Sequence, residues 1–338
     1  MDLAYLWFWI VGFLFVGYFV LDGFDFGVGM SLPFLGKNDI SRRQIINTIG
    51  PVWDLNETWV IVAGACLFAA FPEWYATLFS GFYLALLLIL LTLILRGVSF
   101  EYRHQRDSLK WKRGFDMMIV VGSAVPALLW GVAFANIVQG VPLDVDHEFT
   151  GSLLTLLNPF GLLGGVVTLL LFLTHGAMFL ALKTDGDIRL RARALSVKLG
   201  LGAAVAAVVF LVWTQSITGD PGSAVLFVLA ALALVGGIAA AYAGREGWGF
   251  LGTFVCIGLA VAGLFAALFP DVMPSSTDAA YSLTTTNAAA TAYTLKVMTW
   301  VAAIFTPLVL LYQSWTYWVF RKRISVHHIA DHEPEPVS

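Results

Sequence analysis

Residues 4–31 read AYLWFWIVGFLFVGYFVLDGFDFGVGMS, a stretch whose only charged side chains are Asp22 and Asp25. It exceeds the ~20 mainly apolar residues that cross a bilayer as a helix. Nothing in it alternates with period two, so a strand is a poor reading. Working outward, eight further apolar segments follow at roughly 51–72, 76–96, 116–139, 160–182, 199–217, 223–243, 249–269 and 294–320. Hydrophobic residues make up 59% of the chain and charged residues 12%. A soluble protein carries about 25% charged residues and could not hide so much apolar surface in one core. The solvent must be lipid, and backbone groups in lipid are satisfied most simply by helices. The expected fold is therefore an all-α polytopic membrane protein of about nine transmembrane helices.

The charges between the segments predict an orientation. With the N-terminus outside, the inner regions are 32–50, 97–115, 183–198, 244–248 and the tail from Arg321. Counting Arg96 with them, they hold 18 of the 19 Lys and Arg residues, with Lys296 the exception. The outer regions carry Asp2, Glu73, Asp144, Asp146, Glu148, Asp220, Asp271 and Asp278. That is a positive-inside pattern, with the C-terminus in the cytoplasm. The first segment lacks a basic leader and a small-residue cleavage site, so it reads as a retained helix. Tyr5, Trp7, Trp9, Trp74, Tyr75, Trp315, Tyr317 and Trp318 read as interfacial aromatics, with a quinone headgroup site as the sharper alternative. Residues 324–338 read as a disordered cytoplasmic tail. A net charge of -3 argues against a nucleic-acid partner. Cys66 and Cys256 lie in apolar stretches and say little about redox compartment.

Acids inside spans are costly and need a reason, about 2.5–3.5 kcal/mol each at a helix centre on insertion scales. Asp22 and Asp25 are three apart and share a helix face. Gly23, Gly27 and Gly29 among them would let a second helix approach, or break the first. Asp54 and Glu57 open the second segment, Asp116 opens the fourth, and Arg96 closes the third. Asp22, Asp25, Asp54, Glu57 and Arg96 should meet at one depth near the cytoplasmic surface. Ion pairing is the plain reading of that cluster. A hydrated proton relay is the functional one, since buried carboxyls can exchange protons near neutral pH. Of six histidines only His175 falls inside a span, so this chain cannot supply a bis-histidine haem. A hydrogen-bonded core histidine is the commoner role. No phosphate loop, dinucleotide fingerprint or zinc spacing is present.

Several motifs go further than composition. Gly23-Phe24-Asp25-Phe26-Gly27-Val28-Gly29 and Asn47-Thr-Ile-Gly-Pro-Val-Trp53-Asp54-Leu-Asn56-Glu57-Thr-Trp59 come first. Phe68-Ala-Ala-Phe-Pro72, Ser80-Gly-Phe-Tyr83, Arg96-Gly-Val-Ser-Phe-Glu-Tyr-Arg103, Asn158-Pro-Phe-Gly-Leu-Leu163, Met273-Pro-Ser-Ser276 and Val297-Met-Thr-Trp300 follow. In this order, across residues 1–323, they resemble subunit II of the cytochrome bd-type quinol oxidases. Leu55 stands where that family usually has Gly, and Gly97 where Pro is common.

The resemblance implies two four-helix bundles, roughly 1–140 and 160–270, plus a last helix at 294–320, in one transmembrane domain spanning 1–323. It implies a bacterial inner-membrane complex that oxidises quinol, ubiquinol or menaquinol, and reduces oxygen to water without pumping protons. Two b-type haems and one d-type haem would belong to the partner, subunit I, alongside small single-span accessory subunits. This chain would carry neither catalytic residue nor metal. By the same resemblance Asp22, Asp25 and Asp54 match acids discussed as proton-path residues, with Glu57 beside them. Trp53 and Arg96 match positions tied to haem assembly, and a structural quinone is expected near Trp7 and Trp9. A membrane transporter and a purely structural assembly partner are the rival readings.

Overall fold

The computed structural model describes residues 2–325. Its helices in chain order are α1 (Leu3–Leu35), α2 (Asp39–Asn47), α3 (Trp53–Ala70), α4 (Pro72–Gly81), α5 (Tyr83–Tyr102) and α6 (Leu109–Gln139). The second half holds α7 (Leu153–Leu156), α8 (Pro159–Lys183), α9 (Gly186–Thr218), α10 (Pro221–Tyr242), α11 (Glu246–Leu268) and α12 (Ala292–Val319). Eight of these, α1, α5, α6 and α8 to α12, are long and apolar enough to cross a membrane. The remaining expected span is α3. Its 18 residues rise about 27 Å, close to the thickness of hydrocarbon. It is less apolar than the others because Asp54, Asn56 and Glu57 occupy its first turn and a half. The segment expected at 76–96 is the end of α4 continued by α5. The kink at Phe82 barely interrupts the helix, because Phe82 still donates to Leu78 and accepts from Leu86.

Helix ends follow local chemistry. Thr218-Gly219-Asp220-Pro221 turns α9 into α10: Gly219 takes a left-handed φ of 65°, Asp220 caps Ser223, and Pro221 needs no donor at the first position. Asn158 and Pro159 start α8 the same way. The charged segment 183–198, expected as a loop, is mostly helix, since α9 begins at Gly186. Hydropathy reports where lipid ends, whereas a helix of 33 residues runs about 50 Å and carries its arginines beyond the membrane.

α1 lies at the centre. It packs on α3 and α6 in the first half, and on α8 and α11 in the second. α8 to α11 form one four-helix bundle; α1, α3, α5 and α6 form the other, joined to it through α1–α8 and α6–α8. The glycine-rich part of α1 does not break the helix, which removes the hint of a discontinuous transporter helix. Its glycines serve close approach instead: a Cβ on Gly27 would lie 1.8 Å from the Phe172 carbonyl oxygen of α8, beside Gly176.

α12 stands apart. Only Leu295, Gln313 and Thr316 of it are buried, and it touches α1 and α3. Polar ties hold it. The Trp7 indole donates to the Leu295 carbonyl at 3.2 Å and to Thr299 at 3.0 Å. The Trp59 indole donates to Gln313 at 2.9 Å. Trp7, Trp74 and Tyr317, expected as interfacial aromatics, are therefore structural: Trp7 and Trp74 are buried, and Tyr317 bonds to α3. Trp9, Trp315 and Trp318 do face outward. Ile324, at the start of the expected tail, pairs with Thr184 and accepts from Gln44. The rest of it, from residue 326, lies outside the described residues.

Candidate functional site

The acids of α1 and α3 meet Arg96 of α5 in the interior. Arg96, Asp22 and Asp25 have no exposed surface. Arg96 Nη2 donates to Asp22 Oδ1 at 2.7 Å and to Glu57 Oε2 at 3.4 Å, and its guanidinium lies 4.4 Å from the centre of the Phe26 ring. Room for so large a side chain between α5 and α6 comes from Gly122, where a Cβ would sit 2.7 Å from the Arg96 Cβ. Asp25 turns to another partner, accepting from Asn56 Nδ2 at 2.8 Å. Asn56 Oδ1 in turn accepts from the Tyr317 hydroxyl of α12 at 2.6 Å. Tyr18, one turn before Asp22, lies against it and accepts from the Trp130 indole at 3.1 Å.

The cluster is under-bonded. Asp22 Oδ2, Asp25 Oδ1, Arg96 Nε and Arg96 Nη1 are buried with no hydrogen-bond partner among the described residues. Buried polar atoms without a protein partner are uncommon in a core, and this cluster gathers four of them. One cation faces three carboxyl groups, so a neutral cluster has capacity for protons.

Of the expected site residues, Asp22, Asp25, Glu57 and Arg96 do converge. Asp54 does not join them: it is exposed, and it makes no ion pair among the described residues. Glu57 stands between, its side chain 18% exposed. Asp54 and Glu57 are three apart on α3, which steps the acids inward from the surface. Trp53 packs on Phe100 at 5.1 Å and reaches Gly97, next to Arg96 on α5. Leu55 is half-buried between them. Asn56 is not singled out as a site residue by the sequence, and Tyr317 reads there as an interfacial aromatic. Asn56 had a signal, as a third polar residue opening an apolar helix. Nothing in the sequence linked Tyr317 to Asn56, 261 positions away.

His175 is buried with both ring nitrogens engaged, by Thr253 Oγ1 at 2.7 Å and the Val20 carbonyl at 3.1 Å, and its ring stacks on Phe250 at 4.5 Å. It is a core histidine, and the residues here do not fit an axial haem ligand. At the other end of α1, Trp7 gives its N–H to α12, leaving the exposed Trp9, stacked on Phe269, as the free aromatic face. That pair does not fit a quinone held by a Trp7 hydrogen bond.

A second charged network lies near the end of α5. Asp116, set aside from the cluster, accepts from Arg42 at 2.7 Å and Arg103 at 2.6 Å; Arg103 also bonds Asp39 at 2.7 Å, as Lys112 does at 3.0 Å.

Residues 3–320 match the family model described as cytochrome bd terminal oxidase subunit II. The cytochrome bd ubiquinol oxidase subunit 2 of Bacillus subtilis is 42% identical, over 95% of this chain and 96% of its own. The cytochrome bd-I ubiquinol oxidase subunit 2 of Escherichia coli is 38% identical, over 97% and 96%. A chain of the bd oxidase of Geobacillus thermodenitrificans superposes with a TM-score of 0.73, covering 94% of this chain and 97% of that one; at 16% identity this likeness speaks for the fold alone. With the family model and two relatives spanning nearly its whole length, this chain belongs to the cytochrome bd terminal oxidase subunit II family.

Proposed function

We propose that this chain is the haem-free subunit of a bacterial inner-membrane quinol oxidase, supporting a haem-bearing subunit I and supplying it with an internal proton site. The observation that carries the reading is the buried Asp22–Arg96–Glu57 cluster with Asp25 beside it, graded outward through Glu57 to the exposed Asp54. The relatives are named as subunits of ubiquinol oxidases, and this chain shares that role. The partner's two b-type haems and one d-type haem would carry electrons from quinol to oxygen. Ubiquinol and menaquinol are both suitable donors, and small single-span subunits have ample apolar surface to dock on. A quinone beside Trp9 would bind by ring stacking rather than through Trp7. The distribution of Lys and Arg supports an N-terminus outside and a C-terminus in the cytoplasm. The two bundles and α12 behave as one transmembrane domain.

In this proposal protons reach the interior through carboxyl groups, because hydrocarbon cannot conduct them. Arg96 keeps a charge, and hence water, in the cluster. Asp54 faces away from this chain's core, where it can exchange protons with the aqueous side or with the partner. The purely structural alternative has its own support in the Arg96–Asp22 ion pair and the packing of Trp53. Replacing Asp54 by Asn preserves shape and removes the titratable proton. In the assembled complex, haem content and oxygen consumption are measured together. Full haem with slow turnover is the expected result. Full haem with normal turnover would reject a relay through Asp54.

A further inference from the structure

A cleft of about 680 Å³ opens where the end of α8 meets the last turns of α12. Its walls are apolar, built from Phe24, Phe179, Phe250 and Phe254, and its rim carries Lys183, Arg321, Lys322 and Arg323. A second cleft of about 500 Å³ adjoins it, sharing Leu21, Phe254 and Tyr317, and runs along α12 to Phe13 and Leu310. Together they make one groove, with α12 on one side and α1 and α11 on the other.

Among the described residues the charge at its mouth is only partly offset. Lys183 is held by the carbonyls of Phe320 and Lys322. Arg321 donates to the Trp318 carbonyl at 2.6 Å and lies over the Trp318 ring at 4.3 Å. Arg323 donates to the Thr184 carbonyl at 3.0 Å and the Ala181 carbonyl at 3.5 Å. Carbonyls orient these cations without neutralising them. Among the described residues the one ion pair made by the four is with Asp185, 3.6 Å from Arg323, while Glu246 is also near Arg323 but bonded to Arg189.

We propose that this groove holds an anionic phospholipid, its phosphate at Lys183, Arg321 and Lys322 and one acyl chain laid between α12 and the α1–α11 face. A basic pocket between transmembrane helices selects anionic headgroups. The channel is lined mainly by apolar side chains, with Gln313, Ser314 and Tyr317 its polar exceptions on α12. The lipid explains how a helix with three buried residues stays in place: the acyl chain supplies the dispersion contacts that side chains do not. An isoprenoid quinone could use the channel but would leave the cations unanswered.

The test uses the assembled membrane complex purified through a tag on this chain, stripped of lipid, then titrated with phosphatidylglycerol or phosphatidylcholine and weighed by native mass spectrometry. One phosphatidylglycerol retained per complex, with phosphatidylcholine not retained, is the expected result. The double variant Arg321→Gln and Lys322→Gln should weaken retention at least tenfold, whereas Lys110→Gln with Arg113→Gln on another basic segment should leave it unchanged. Gly258→Leu tests the channel with all charges intact: a Cβ there meets only Val16 at 3.6 Å and Val20 at 3.8 Å, so the longer side chain fills the groove without a backbone clash. It too should weaken retention. Equal loss from the Lys110 and Arg113 pair, no effect of Gly258→Leu, or equal retention of phosphatidylcholine each overturns the proposal. So does a rise in retention on removal of residues 327–338, because Asp331, Glu333 and Glu335 would then be the anions that occupy the mouth.

Discussion

Two charged clusters bind the first bundle, and they are built on opposite plans. In the outlying one, Arg42, Arg103 and Lys112 face Asp39 and Asp116, and all four carboxylate oxygens have a cationic partner within 3.0 Å. In the interior one, a single arginine faces three carboxyl groups, and four polar atoms have no partner among the described residues. The first balances three cations against three acids, counting Asp107 at 3.6 Å from Lys112, and has a partly exposed rim, as a fastening should. The second has more acids than cations in a place where desolvation is severe. A fold under selection for stability alone would pair those groups or replace them with apolar ones. Completeness of pairing is what separates the two networks, and the proton role proposed for the interior one rests on that difference.

The sharpest way to break this contrast is Arg96→Leu. It leaves Asp22, Asp25 and Glu57 in the core without a cation, and losing one partner of a buried ion pair costs about 3–5 kcal/mol. The expected outcome is a severe loss of assembled complex, read as haem per tagged chain in purified membranes. Normal yield and haem content would mean that the cluster is held together by protons instead of charge.

Asp25→Asn should act differently, since the amide can keep the Asn56 contact. Haem content should be preserved while oxygen consumption falls about tenfold, on the order of 1.4 kcal/mol in the barrier. An unchanged rate removes Asp25 from the proton route.

Asp116→Asn attacks the fastening. Hydrogen bonds to charged groups contribute about 1.5–3 kcal/mol. The variant complex should melt several degrees lower, with unchanged turnover per assembled complex. Slower turnover at full assembly would erase the distinction between the two clusters.

The smallest effect concerns Asp39. Partial burial pushes its carboxyl upward, but the bonds to Arg103 and Lys112 outweigh that and hold it below its ordinary value. Its contribution is therefore complete above the unfolded pKa of about 4 and is lost as pH falls through the lower folded value. The melting-temperature gap between wild type and Asp39→Asn should stay constant from neutral pH to about pH 5, narrow below about pH 4, and shrink in high salt. A gap that widens in acid would contradict the pairing as its source.

Much of this was legible in the chain itself. The polytopic helical architecture, eight of the nine expected spans, and the convergence of Asp22, Asp25, Glu57 and Arg96 follow from hydropathy, charge and helical spacing. These are properties of sequence neighbours, and the bilayer imposes one strict rule on all of them. Asp54 was misplaced, because three positions along α3 leave two side chains about 60° and about 4.5 Å apart, enough to put Glu57 against Arg96 and Asp54 outside. Tyr317, the pairing of Asp116 with Arg42, and the inward turn of Trp7 and Trp74 were beyond reach. Each depends on which helix lies beside which, and an aromatic residue reads alike in sequence whether it faces lipid or a neighbouring helix. The sequence by itself determined that the chain is a polytopic helical membrane protein and which charges lie within its apolar segments. The tertiary structure alone decided which of those charges find partners, because pairing is set by crossings such as Gly27 against Gly176 that bring distant residues within hydrogen-bond reach.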